Sequence, residues 1–69
     1  MKIKKKKEFK IFHWDTFDNV IIPIDKAKTI EEAREKVKKQ YAGRISDNGA
    51  DVVEIVDENG RIVERHTVC

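Results

Sequence analysis

Cysteine, proline and glycine are scarce in this chain of 69 residues, which has one cysteine, one proline and three glycines. A single cysteine, Cys69, excludes a framework of internal disulfides and fits a reducing cytoplasm. No apolar run approaches the length of about 20 residues that spans a bilayer. No apolar segment follows the N-terminal lysines, so we expect no signal peptide. These absences predict a cytoplasmic protein with no part in the membrane.

The short length also limits what the chain can do. A chain of this size buries only about 60% of the surface that it exposes when unfolded, so its core is small. A deep substrate pocket would compete with that core for the same few apolar residues. The sequence contains no P-loop, dinucleotide fingerprint or nucleophile elbow. We therefore expect a single domain that is not an enzyme and that has no cofactor and no small-molecule substrate.

Charge is abundant but unevenly distributed. Charged residues make up 41% of the chain, and the net charge is +2. Residues 1–10 carry six lysines and Glu8, a net charge of +5, whereas residues 11–69 carry a net charge of −3. We interpret residues 1–7 as a basic N-terminal arm, or the frayed start of a strand, and residues 8–69 as the domain. This uneven distribution of charge bears on the binding partners that the protein could have, and it does not predict the fold.

Residues 29–43, TIEEAREKVKKQYAG, form the only segment with a clear helical pattern. Thr29 and Glu32 have the spacing of a capping box, which satisfies free N–H groups at a helix start. Apolar residues recur at spacings of three and four, which places them on one face. Gly43 suits the left-handed position just after a helix end. We predict a helix over about residues 29–42, whose buried residues are Ile30, Ala33, Val37 and Tyr41.

Strands are predicted on both sides of the helix. Phe9–Trp14 and Val20–Ile24 are rich in strand formers, and the residues between them, 15–19, are turn formers. Pro23 has no N–H to donate, so its strand is predicted to lie at a sheet edge or to end there. Ala50–Val56 and the final strand, residues 61–68, flank a second hairpin turn.

The second hairpin admits two registers around its DENG turn, residues 57–60. A two-residue turn pairs Glu54 with Arg65 but sets Ile55 opposite Glu64. A three-residue loop with Gly60 as a bulge pairs Ile55 with Val63 and Asp57 with Arg61, but sets Glu54 opposite Glu64. We favour the bulged register because it matches apolar with apolar residues on both faces.

The predicted fold is α+β, in the order ββαββ, with a four-stranded, mainly antiparallel sheet and the helix on one face. One helix leaves the other sheet face uncovered. Alternation places Phe9, Ile11 and His13 on one face of the first strand and Lys10, Phe12 and Trp14 on the other. If the former set points at the helix, an exposed apolar patch results, and such patches mark contact surfaces. The predicted interaction face is formed by Phe12, Trp14 and Ile21.

Part of the chain resembles a known group of proteins. The TIEEAREKV helix opening and the ending GADVVEIVDENGRIVERHTV are similar to small bacterial domain proteins of unknown function. The likeness covers roughly Thr29 to Val68, and it implies the ββαββ arrangement. It implies no activity, because no activity of those proteins carries over to residues of this chain.

Catalytic and metal sites are poorly supported by the residues. Asp15 and Asp18 flank an aromatic loop, but turn formation accounts for both carboxylates without acid–base chemistry. His13, His66 and Cys69 are the soft metal ligands, and they fall short of the four ligands of a structural zinc site. We therefore predict no catalytic residues and no metal.

Two functions remain open at this point. The first is a protein-interaction module that uses the uncovered sheet face, with an unknown protein or a second copy as its partner. The second is nucleic-acid binding, in which lysines attract phosphates while Phe12 and Trp14 stack on unpaired bases. The lysines predicted to contact nucleic acid are Lys4, Lys5, Lys6, Lys7 and Lys10.

Overall fold

The computed structural model describes residues 8–69, so the predicted arm at residues 1–7 lies outside the described residues. Four strands and one helix follow each other in the order ββαββ, as the sequence predicts. The strands are β1 (Phe9–Asp15), β2 (Val20–Ala27), β3 (Asp51–Val56) and β4 (Ile62–Val68), and the helix is α1 (Ile30–Gln40).

The strands form one sheet in the order β2-β1-β3-β4, and every neighbouring pair is antiparallel. The fold is therefore α+β, as predicted. Strand β2 is an edge strand, which confirms the prediction from Pro23. It runs to Ala27, beyond the predicted end at Ile24, because a bulge between Asp25 and Pro23 lets pairing with β1 continue past the proline.

Helix α1 begins as its sequence pattern predicts. The Thr29 hydroxyl accepts a hydrogen bond from the Glu32 N–H at 3.0 Å, and the Glu32 carboxylate accepts one from the Lys28 N–H at 2.8 Å. The helix ends at Gln40, slightly before the predicted end at residue 42. The chain then turns through Gly43, whose φ of 75° is the left-handed conformation expected there.

The core lies between α1 and one face of the sheet. The helix contributes Ala33, Val37 and Tyr41, which are buried as the helical spacing predicts, and partly buried Ile30 packs against them. Two ion pairs connect the sides of the helix to opposite edges of the sheet. Lys36 pairs with Asp25 on β2, and Arg34 pairs with Glu64 on β4. The sheet side of the core consists of Ile11, Ala27, Val53, Ile55 and Val68.

The second hairpin combines both predicted registers. Near the turn the bulged register is correct: the Asp57 N–H donates to the Arg61 carbonyl at 2.8 Å, and Gly60 has φ +84°. A register shift then leaves Val63 unpaired, since Val56 lies opposite Ile62. The rest of the hairpin follows the other register.

The predicted pairing of Ile55 with Val63 is therefore wrong, as is that of Glu54 with Glu64. Glu54 lies opposite Arg65, and Ile55 lies opposite Glu64. This register avoids two carboxylates in direct opposition. The contact between Arg34 and Glu64 also compensates for placing a charge beside a buried isoleucine.

Candidate functional site

The sheet face away from α1 is not covered by any element within residues 8–69, and we call it the open face. Since Ile11, Val53 and Ile55 are buried under the helix, the alternate residues of each strand point to the opposite side. The open face is formed by Lys10, Phe12, Trp14, Ile21, Pro23, Lys26, Val52, Glu54, Val56, Ile62, Arg65 and Thr67.

The three residues of the predicted interaction face, Phe12, Trp14 and Ile21, lie together on the open face. Trp14 is directly opposite Ile21 on β2 and Val52 on β3. Phe12 lies two residues along β1, between Pro23 and the third strand. Ile21 is 60% exposed, whereas Phe12 and Trp14 are half-buried by their neighbours. Together these residues form an apolar surface across β2, β1 and the end of β3, with Glu54 of β3 opposite Phe12.

Sequence reasoning missed the part of this surface that lies on β3 and β4. Val52 and Val56 alternate with the buried Val53 and Ile55, and this alternation was readable from the sequence. Ile62 was not readable, because the bulge at Val63 decides the side on which it lies. Ile62 is 51% exposed, so the apolar patch extends to the sheet edge.

The charged residues of the open face lie at one end and in its middle. Lys10 and Lys26 lie directly opposite each other at the end where β1 begins. Like charges in direct opposition destabilise a sheet, and the carboxylates of Glu8, Asp57 and Glu58 line a groove with Lys10 at this end. Glu54, in the middle of the face, is neutralised by Arg65, whose nearest guanidinium nitrogen is 3.5 Å from a carboxylate oxygen. Of the lysines predicted to contact nucleic acid, Lys4–Lys7 lie outside the described residues.

The helix side of the sheet carries a second polar cluster, a chain of three side chains. His13 Nε2 donates to the Asp51 carboxylate at 3.0 Å, because a carboxylate only accepts hydrogen bonds. Nδ1 of the same imidazole is hydrogen-bonded to the Tyr41 hydroxyl at 2.7 Å. The hydrogen bond from His13 lowers the pKa of Asp51, against the opposing effect of burial. Burial raises the pKa of Tyr41.

This chain of hydrogen bonds connects the helix end to the sheet rather than forming an accessible active site. Tyr41 is 4% exposed, so its hydroxyl is shielded from any substrate in solution. The guanidinium of Arg44 lies 5.2 Å from the centre of the Tyr41 ring and covers it further. Sequence reasoning placed Tyr41 in the core but did not find its partner His13, which is 28 residues away along the chain.

Of the other residues considered for chemistry, Asp15 and His66 have structural partners. Asp15 accepts hydrogen bonds from the N–H groups of Phe17 and Asp18, which is a turn role. His66 bonds Glu64, and Cys69 is exposed at the chain end. Within residues 8–69, no group of three or more histidine, cysteine or acidic side chains is placed to hold a metal ion. In the same residues, no helix is long and apolar enough to cross a membrane.

Comparison with known proteins does not assign the chain to a family: it matches no family model, no curated protein and no solved structure. The resemblance to small bacterial domain proteins stays a prediction. The functional argument therefore depends on the open face itself.

Proposed function

We propose that this protein is a small, non-catalytic interaction module of the cytoplasm that binds a protein surface through the open face. The observation that carries the proposal is the contiguous apolar patch of that face, with Ile21 and Ile62 more than half exposed. Interfaces typically have an apolar centre with aromatic residues and a charged rim. Phe12 and Trp14 supply the centre here, and the lysines at one end supply part of the rim.

A second copy of the chain is the partner that we propose first, because homodimers are the commonest oligomers. In a face-to-face dimer the apolar patch of each copy covers that of the other, so the interface is self-complementary, as a symmetric dimer requires. Lys10 lies beside Glu8, Asp57 and Glu58 at one end of the face, so the rim carries charges of both signs.

The first test replaces Ile21 with glutamate. Ile21 is already 60% exposed in one copy, so we expect the variant to fold normally. In a face-to-face dimer each copy buries one new carboxylate without a partner, at a cost of about 3 kcal/mol or more, so Kd should rise by at least about 100-fold. Analytical ultracentrifugation over a range of concentrations measures this Kd.

The matched control is Ile45→Glu, because Ile45 is 45% exposed and lies outside the open face. We expect the control to dimerise like the wild type. A wild type that sediments as a monomer at every concentration would exclude the second copy as the partner. Equal effects of the two substitutions would show that the open face is not the contact surface.

Nucleic-acid binding is the second candidate, and it is favoured by the line of Lys10, Phe12 and Trp14 along β1 on the open face. Strand geometry separates the two aromatic side chains by about 7 Å, which suits stacking on successive unpaired bases. The opposed Lys10 and Lys26 side chains would then contact a phosphate.

If this candidate is correct, affinity for single-stranded DNA falls steeply with salt and is lost on deletion of residues 1–7. Phe12→Ala should weaken binding about 5- to 150-fold, since base stacking on an aromatic ring contributes about 1–3 kcal/mol. Lys38→Ala, on the helix, is the control that should leave affinity unchanged. Fluorescence anisotropy measures all four affinities, and the absence of binding at low salt would exclude this function.

A further inference from the structure

A groove of about 470 Å³ opens at the end of the open face where β1 begins. It lies between the start of β1 and the β3–β4 turn, and Phe12 and Val56 form its apolar lining. A groove of this volume holds a small organic group. The ring of Phe12 also offers a face that attracts a cation.

The charged side chains of the groove are mostly acidic. The carboxylates of Glu8, Asp57 and Glu58 line it, and Lys10 is the one basic side chain among its lining residues within residues 8–69. Three carboxylates and one lysine give the groove a net charge of −2. The charge therefore favours a cationic occupant over an anionic one.

The three carboxylates are not neutralised by ion pairs of the folded domain. Within residues 8–69, none of them forms a salt bridge. The turn holds the Asp57 carboxylate in place, because its Oδ1 accepts hydrogen bonds from the N–H groups of Asn59 and Arg61, each at 2.9 Å. Negative charges gathered at one site repel one another, and a cation among them removes this repulsion.

The chain itself carries a segment of the required charge beside the groove. Residues 1–7, MKIKKKK, lie outside the described residues. They contain five lysines and no acidic residue, and they are joined directly to Glu8, which lines the groove. Four residues of chain span at most about 13 Å. The side chains of Lys4–Lys7 are therefore attached within reach of the carboxylates.

We propose that the groove binds lysine side chains of residues 1–7 of the same chain, with their ammonium groups among the three carboxylates and their stems against Phe12. Lysine stems pack on apolar surface while the charged group stays in water, and the aromatic face adds cation–π attraction. The basic segment then covers one end of the open face. A partner of that face has to displace the segment or contact it.

Covalent attachment favours this occupant over a free one. Exposed ion pairs are individually weak, so a separate basic peptide would bind such a groove with a Kd of roughly millimolar order. A short tether gives its segment an effective concentration of about millimolar order, whatever the protein concentration. In dilute solution the tethered lysines therefore occupy the groove, whereas a free basic peptide or the lysines of a second copy leave it largely empty.

Carbodiimide coupling tests the contact in the full chain, because this reagent joins an amine to a carboxylate only when the two groups touch. We expect amide links from Lys4–Lys7 to Asp57 or Glu58, located by mass spectrometry. The matched control is Glu31, an exposed residue in the first turn of α1, on the helix side of the sheet. Links to the groove should exceed links to Glu31 by at least about fivefold.

An equal mixture of unlabelled chains and chains labelled with heavy nitrogen identifies the origin of each link. Links that keep a single label lie within one chain and support the inference. Links that join the two labels would show that a second copy supplies the lysines, and would overturn it. Equal yields at Glu31 and Glu58 would overturn it as well. The Ile21→Glu experiment does not involve the groove, so the proposed function is judged separately.

Trypsin provides a second measurement, because a lysine held in the groove cannot enter the protease. Glu58→Gln removes one charge of the groove at an exposed position, so we expect the variant to fold like the wild type. Cleavage after Lys4–Lys7 should become at least about twofold faster, since less of the segment is bound. Glu31→Gln is the control and should leave the rate unchanged. Equal rates in all three proteins would overturn the inference.

Discussion

Replacement of Ile55 with alanine is expected to lower the free energy of unfolding by about 2–5 kcal/mol. Ile55 lies on the central strand β3, it is fully buried, and it belongs to the only core cluster within residues 8–69. Truncation removes apolar burial and leaves a cavity that the surrounding structure fills only in part.

The loss is large for a domain of this size. Typical stabilities of about 0.05–0.15 kcal/mol per residue correspond to roughly 3–10 kcal/mol for the whole chain. Urea denaturation followed by the fluorescence of Trp14 measures the change. Ile45→Ala is the matched control, since that side chain is 45% exposed and its truncation should cost about 0.5 kcal/mol or less. Equal losses for the two variants would contradict the assigned core.

Replacement of Gly49 with alanine is expected to cost about 3 kcal/mol, at the upper end of the range for overpacking. A Cβ atom at Gly49 would lie 2.3 Å from the carbonyl oxygen of Val68 and 2.6 Å from its backbone nitrogen. The obstruction is backbone rather than a flexible side chain, so relief requires movement of β4. Val68 is fully buried, and such movement would therefore disturb the core as well.

Gly43→Asn provides the contrast. Gly43 has φ +75° and open space around it, and asparagine adopts the left-handed conformation more readily than other residues. We expect this variant to lose less than about 1 kcal/mol in the same urea experiment. A Gly49→Ala protein as stable as the wild type would show that the loop before β3 does not approach Val68 closely.

Gly49 also illustrates how sequence and structure differ in what they reveal. From the sequence, Asn48-Gly49 is a turn signal that explains the glycine by its backbone freedom. In the structure Gly49 does not have a positive φ, and the glycine is required by the close approach of β4. A contact between residues 49 and 68 is not encoded in local propensity, so no local pattern could predict it.

The candidate site was predicted in part for similar reasons. Alternation along β1 correctly put Phe12 and Trp14 on the face away from the helix. The positions of Val52 and Ile62 on the same face depend on the strand order and on the bulge at Val63.

The sequence by itself determined the helix, its Thr29 cap, its buried face and the ββαββ order, because these follow from local hydrogen bonding and from the periodicity of apolar residues. Only the tertiary structure decided the strand order, the mixed register of the second hairpin and the cluster around His13. These features depend on pairings between residues far apart in the chain, and several such pairings satisfy the same local preferences. The open face depends on both the sequence and the tertiary structure. Alternation along β1 places Phe12 and Trp14 on this face, and the strand order brings the apolar residues of the other strands beside them.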